Sequence, residues 1–422
     1  MIISLASGQR KIPVTLDDSR VMAVLAPASA GHPPSEAQET AEIVRALENP
    51  IGSPRLRDMG ALAGPGRTVA IVTSDVTRPC PSRRLLPPLL DELARAGVRK
   101  RDVCIVFALG SHRPHTPQEK ERLVGPEILS QYACLDSDPA DCTLVGLTSR
   151  GTPLEIFRPV AQADLRICLG NIEYHYFAGY SGGAKAIFPG VSTTRSIQAN
   201  HRMMVEDGAA TGVVEGNPVR ADIEELSRFL PVDFILNVVL GAKKEILKAV
   251  AGHFVAAHRA GCAFLDATYK FPLPHAADIV LVSAGGYPKD LNMYQAQKAL
   301  DNARFAVRQG GVIILVAACP EKYGSATFER WIKAATSPES IIADIAKNFE
   351  LGGHKAAAIA LALRKATVLS VSDMGEDVAQ SLFFTPMATV EDALAEADRL
   401  CGTDARILVM PLGGSTLPVV AA

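Results

Sequence analysis

No charge of one sign dominates this 422-residue sequence. Its 43 lysines and arginines stand against 45 aspartates and glutamates, a formal charge of −2, so nothing draws it by default to nucleic acid or an anionic membrane. No apolar run reaches the length of a bilayer span; the longest are strand-sized. The opening MIISLASGQRKIPV has no basic region followed by a long apolar core, which argues against a secretory signal and for a cytoplasmic protein. The eight cysteines (80, 104, 134, 142, 168, 262, 319 and 401) include no Cys-x-x-Cys pair, and several sit in apolar runs, as in VCIVFALG and RICLG. They read as reduced, buried thiols rather than as a disulfide framework or a zinc site. His-Glu-x-x-His is absent, and no Gly-x-Gly-x-x-Gly follows the first strong strand.

What is present is a chain with 48% hydrophobic residues, long enough for two domains with buried cores. Short apolar runs alternate with amphipathic segments, the pattern of an α/β protein with parallel-sheet units. RTVAIVTSD (67–75) and DVCIVFALGSH (102–112) read as strands, each followed by a helix, at 83–97 and 116–125. Thr116 caps the second of these, with Pro117 at its first position. Residues 232–240 and 245–252 read as two strands joined tightly. Strand 277–286, helix 292–311 and strand 312–318 form a strand–helix–strand unit. The Pro-rich FPLPHAAD suggests a boundary, with one domain over 1–272, a second over 273–400, and residues 401–422 returning as a strand to the first.

Distinctive polar residues cluster just after these strands or at helix starts, where α/β folds build sites. SDVTRP supplies Asp75 and Arg78; an arginine fixed between a strand end and a proline suits a carboxylate held by two hydrogen bonds. GSHRPHT supplies His112 and His115. HYFAGYSGGAKAIFPG supplies His175, the glycines 179, 182, 183 and 190, and Lys185. His201 falls on a helix expected from about Ser192, and Gln295 and Lys298 share a helix face one turn apart. Histidine works as acid, base or metal ligand near neutral pH. The residues alone therefore leave open a metal site, an acid–base pair, or an imine-forming lysine in a cationic, histidine-rich cleft.

Taken together and in order, SDVTRP, GSHRPHT, HYFAGYSGGAKAIFPG, the Asn-His at 200–201 and GGYPKDLNMYQAQKAL resemble the signature segments of the nickel-pincer lactate racemase family, from about residue 67 to 300. The resemblance implies two α/β domains with the active site in the cleft between them. It implies a nickel-pincer nucleotide, a pyridinium mononucleotide with two sulfur arms, joined covalently to Lys185 beside Gly182 and Gly183. His201 is then the protein's nickel ligand, His112 and His175 the acid–base pair, and Asp75, Arg78, Gln295 and Lys298 the substrate contacts. The implied activity is racemisation or epimerisation of a small 2-hydroxy acid, lactate by default, by hydride transfer through a 2-keto acid, with cofactor-biosynthesis proteins as partners. The glycines are expected to give the cofactor ring room. Ala184 stands where some members carry a basic side chain, which alters the local grip on an anion. The competing readings are a non-catalytic carrier of the cofactor and a metal-dependent enzyme of another reaction class. A carrier would need Lys185 and His201 but not both catalytic histidines.

Overall fold

Val69–Ser74, Val103–Ala108 and Leu165–Asn171, the most apolar short runs of the first half, form adjacent parallel strands in the computed structural model. The structure describes all residues except 27–32, 60–65, 242, 351 and 422. It divides into a continuous unit, Gly31–Ala267, and a split unit built from Met1–Ala30 and Thr268–Ala422.

The continuous unit holds a six-stranded sheet in the order Ile246–Gly252, Phe234–Leu240, Leu165–Asn171, Val69–Ser74, Val103–Ala108, Ala133–Asp136. Every pairing is parallel except the first. From the Val69 strand the chain steps outward to Val103 and Ala133, then returns on the other side with Leu165. The strand order therefore reverses between Val69–Ser74 and Leu165–Asn171, and ligands of open α/β sheets bind at the carboxyl ends of such a reversal. Leu85, Leu86 and Leu89 of the helix Ser82–Arg95 are fully buried in one cluster with Ile71, Ile105 and Phe107. Burying each such side chain contributes about 1.5–3 kcal/mol. The cap at Thr116 forms as expected, a reciprocal box with Glu119 at the start of Pro117–Val124.

The split unit holds a wholly parallel sheet in the order Thr385–Met387, Ala366–Val371, Val307–Val316, Ala277–Ser283, Ile407–Met410, Val21–Val24. Its order reverses beside Ala277–Ser283, the strand that leads into the helix Met293–Ala306. That helix ends five residues before the expected position 311, because Val307 already begins the next strand.

The domain boundaries differ from those expected. Residues 1–30 belong with the C-terminal half, the division falls after Ala267, and the last strand, Leu417–Val420, pairs with Lys270–Leu273 of the split unit instead of returning to the other. The fully buried Ile407–Met410 needs a hydrogen-bonding neighbour on each side. Val21–Val24 supplies one, and parallel pairing between segments so far apart leaves no local mark in the sequence. Leu5, Val14 and Leu16 enter the same core cluster. Removing residues 1–25 is expected to expose that strand edge and core, giving a protein that aggregates on refolding and binds an apolar dye. A soluble product with an unchanged urea midpoint would contradict the pairing.

Candidate active site

Asp75 directly follows the Val69 strand and is 2% exposed. Its Oδ1 accepts the Thr77 hydroxyl at 2.8 Å and its Oδ2 contacts His112 Nδ1 closely. His112 lies past the neighbouring Val103 strand with its side chain 41% exposed. A carboxylate at Nδ1 fixes the proton there and leaves Nε2 as the basic atom. Burial alone would raise the Asp75 pKa, but the His112 hydrogen bond and charge, with Thr77 and Arg78, outweigh it and hold the carboxyl below its usual value. Arg78 is exposed, and no carboxylate among the described residues forms an ion pair with its guanidinium, an arrangement suited to an incoming anion.

His115, three residues on, is placed quite differently. Its side chain is 1% exposed; Nδ1 bonds Asp136 Oδ1 at 2.6 Å, and Nε2 accepts the Val76 N–H at 3.0 Å. Both ring nitrogens are spent, Nε2 on the Asp75–Arg78 turn and Nδ1 on Asp136, so His115 is a brace.

The run 174–190 follows the Leu165 strand, on the other side of the reversal. Tyr174–His175 pairs antiparallel with Gly179–Tyr180, and His175 Nδ1 accepts the Ala178 N–H at 3.3 Å. The Phe177 ring meets His175 edge-on at 4.5 Å and His201 at 4.8 Å, so one aromatic ring separates the two histidines. The glycines face the protein itself. A Cβ on Gly179 (φ +74°) would lie 1.9 Å from Val213 O, on Gly182 (φ +78°) 2.7 Å from Asn237 Oδ1, and on Gly190 2.1 Å from Ala186 O. These positions are demanded by the loop's own packing rather than by room for a ring. Ala184 is buried, directed into protein.

The loop is held from behind by residues that the sequence did not single out. Arg220, 1% exposed, donates to the carbonyls of Ala178, Tyr180 and Gly182. Asn237 Oδ1 accepts the Gly183 N–H at 2.7 Å, and His258 Nε2 donates to Ser181 O at 2.8 Å. Asn217 donates to Phe177 O, and Asp266 accepts the hydroxyls of Tyr174 and Tyr180. Their only trace in the sequence is polar residues at otherwise apolar positions, such as Asn237 in FILNVVL.

Lys185 sits in the short turn Gly183–Ala186, half-buried. Desolvation, then Arg78 and Arg220, push its pKa down to about 7, against a weaker opposing effect of Glu173. His201 ends the helix Thr194–His201, which starts two residues later than expected, with Thr193 as its cap. Burial, then Lys185 and Arg78, lower the His201 pKa to about 3, so it is neutral at physiological pH. Its Nδ1 donates to Asn200 Oδ1 at 3.1 Å; Asn200 donates to Asp222, which accepts Thr148. A metal-ligating histidine is typically supported in this way, with Nε2 left to the metal. Among the described residues no three His, Cys, Asp or Glu side chains converge as metal ligands, so a metal beside His201 would take most of its ligands from another molecule. All eight cysteines are free, and burial raises the thiol pKa values, to about 12 at Cys262 and Cys319.

In the split unit, Asn292 caps the helix Met293–Ala306 through the Gln295 N–H at 3.2 Å, leaving Gln295 exposed and Lys298 half-buried. Thus Asp75, Arg78, His112, His175, Lys185 and His201 gather around one sheet's reversal, while Gln295 and Lys298 follow the reversal of the other.

The Lys185 shift has a testable sign. Between about 7 and its ordinary 10.5 the unfolded chain holds a proton on this lysine that the folded one lacks, so stability rises with pH across that window. Lys185→Met should flatten that part of the stability–pH curve, and in the wild type Lys185 should react with an acylating reagent at pH 7.5 well before the surface lysines. Parallel curves for the two proteins would refute the environment described.

Comparison with known proteins identifies the family. The lactate racemase N-terminal domain model matches residues 7–212, and the lactate racemase C-terminal domain model matches 274–418. The chain is 35% identical over 427 residues to a lactate racemase of Thermoanaerobacterium thermosaccharolyticum, covering 98% of each. It is 32% identical to one of Lactiplantibacillus plantarum, covering 97% of this chain and 98% of that protein. The apoprotein structure of the T. thermosaccharolyticum enzyme superposes with a TM-score of 0.91 at 34% identity, over 99% of this chain and 100% of that one. A Thermotoga maritima protein at 17% identity and TM-score 0.64, covering 93% and 99%, shares the fold. With both domain models matched and relatives similar over nearly their whole length, the chain belongs to the lactate racemase family, a family of isomerases.

Proposed function

We propose that this protein racemises a small 2-hydroxy acid, lactate by default, using a nickel-pincer nucleotide carried on Lys185. The observation that carries the reading is the pair of differently held histidines, His112 on Asp75 and His175 on the Ala178 N–H, flanking the same sheet reversal as Lys185 and His201. The donor set fits the group. Lys185 is largely uncharged at mildly alkaline pH, as a covalent attachment requires, and His201 is neutral with its Nδ1 engaged, as a ligand requires. Gly182 and Gly183 offer backbone beside the lysine. When bound, the nucleotide and its nickel supply a hydride acceptor, chemistry that no side chain of the chain provides.

The chain's own residues do the rest. Arg78 binds the substrate carboxylate with its two-pronged guanidinium, and the family correspondence adds Gln295 and Lys298 as further substrate contacts. The hydroxyl proton must leave as the carbon hydrogen leaves and return when that hydrogen comes back to the opposite face. Two imidazoles give the oxygen a proton acceptor in either orientation of the planar keto acid. In this reading Asp75 serves His112 rather than the substrate, since both its oxygens are already engaged. A carrier of the nucleotide would have no use for that carboxylate–imidazole pair. Cofactor-biosynthesis proteins are the partners this reading requires.

The test is production together with those proteins, followed by intact mass, nickel analysis and chiral assay of single-enantiomer 2-hydroxy acids. An adduct on Lys185, near-stoichiometric nickel and loss of optical purity are expected; protein made this way with neither adduct nor nickel would sink the proposal. Lys185→Ala should carry no adduct. His112→Ala should keep it while losing roughly 10²-fold or more in kcat. Asp75→Asn should keep both the adduct and KM but lower kcat and displace its pH profile; a rise in KM alone would instead make Asp75 a substrate ligand.

A further inference from the structure

Lys355 is the one lysine among the described residues that is buried, at 4% exposure. It lies in the first turn of the helix Gly353–Leu363, packed on the helix Met293–Ala306. Its ammonium donates to Gln297 Oε1 at 3.1 Å and stands 5.0 Å from the centroid of the Tyr294 ring. Three features make this an expensive arrangement. An ammonium is removed from water. A cation occupies the positive end of a helix dipole. And Gln297, 0% exposed, keeps its carbonyl on the ammonium while its Nε2 finds no acceptor among the described residues, at the cost of an unmade hydrogen bond. A methionine would fill similar space without any of these costs.

Two of the residues that Lys355 contacts, Tyr294 and Gln297, are informative. Tyr294 and Gln297 immediately precede Gln295 and Lys298, the residues of this helix assigned to the substrate. Holding both fixes the roll of the helix about its axis at the turn that presents Gln295 and Lys298. The buried charge also adds positive potential to that turn, which suits an anion.

We propose that Lys355 is a positioning residue for the substrate-binding face of Met293–Ala306, retained for its charge and not for packing. The proposal rests on the 2-hydroxy acid reading. The experiment compares wild type, Lys355→Met and Lys355→Arg as full-length, cofactor-loaded protein by steady-state kinetics and thermal unfolding. It also compares the three apoproteins by calorimetric titration with an unreactive 2-keto acid.

Lys355→Met is expected to unfold at the same or a higher temperature, since replacing a buried charge with an apolar group is often neutral or stabilising. Its KM should rise about tenfold with kcat within twofold, keto-acid affinity should fall in parallel, and Lys355→Arg should recover most of the loss. An unchanged KM and unchanged affinity in Lys355→Met would overturn the proposal. So would a lower unfolding temperature accompanied only by a loss of kcat. Should loaded wild type fail to racemise any 2-hydroxy acid, the reading beneath has failed, and the apoprotein titration still decides whether Lys355 governs anion binding.

Discussion

A buried guanidinium governs the shape of the loop on which the proposed chemistry depends. Arg220 hydrogen-bonds the carbonyls of Ala178, Tyr180 and Gly182 from inside the protein, and among the described residues only that of Ala178 has a further backbone partner outside the strand pairing, the Tyr180 N–H. Buried carbonyls without partners each cost free energy comparable to a lost hydrogen bond, so the loop's conformation and the guanidinium stand or fall together. Burial lowers even the Arg220 pKa, to about 10. The same charge is one of the causes that depress Lys185. One interaction thus shapes the backbone around the lysine and adds to what desolvation and Arg78 do to lower the pKa of its amine.

Electrostatics extend that coupling across the sheet reversal. Arg78 and Lys185 both disfavour a proton on His201, which is already desolvated. Desolvation is the larger cause of the neutral imidazole, and the positive charge of Arg78 also favours binding of a small carboxylate. Asp75 and Asp136 stand at the ends of the two strands that flank Val103–Ala108, and each takes one histidine of the GSHRPHT segment. His112 remains exposed beside its carboxylate; His115 is sealed in. The difference between an acid–base group and a brace lies in where the second ring nitrogen points.

This distinction shows how far the sequence could be read. Strands such as Val69–Ser74 and Ala277–Ser283 were legible because parallel strands covered on both faces are written as unbroken apolar runs. The site residues were legible because they directly follow those strands and match family segments. His112 and His115 looked alike, since only tertiary partners separate them. The glycines of the lysine loop were legible as a tight backbone but not in purpose, because Val213, Asn237 and Ala186, the atoms they touch, are mostly remote in sequence. Arg220 and His258 were illegible for the same reason. The division of the chain was misread because the partner of Ile407–Met410 lies near the other terminus.

That long-range pairing has a consequence for how the protein is made. Synthesis proceeds from the N-terminus, and domains fold as units while it does so. Residues 31–267 leave the ribosome as an uninterrupted stretch able to complete its own sheet. Val21–Val24, made earlier, waits for a neighbour that emerges only with residues 407–410. A strand translated early is therefore among the last to find its place, and the split unit closes only once residues 407–410 have been made.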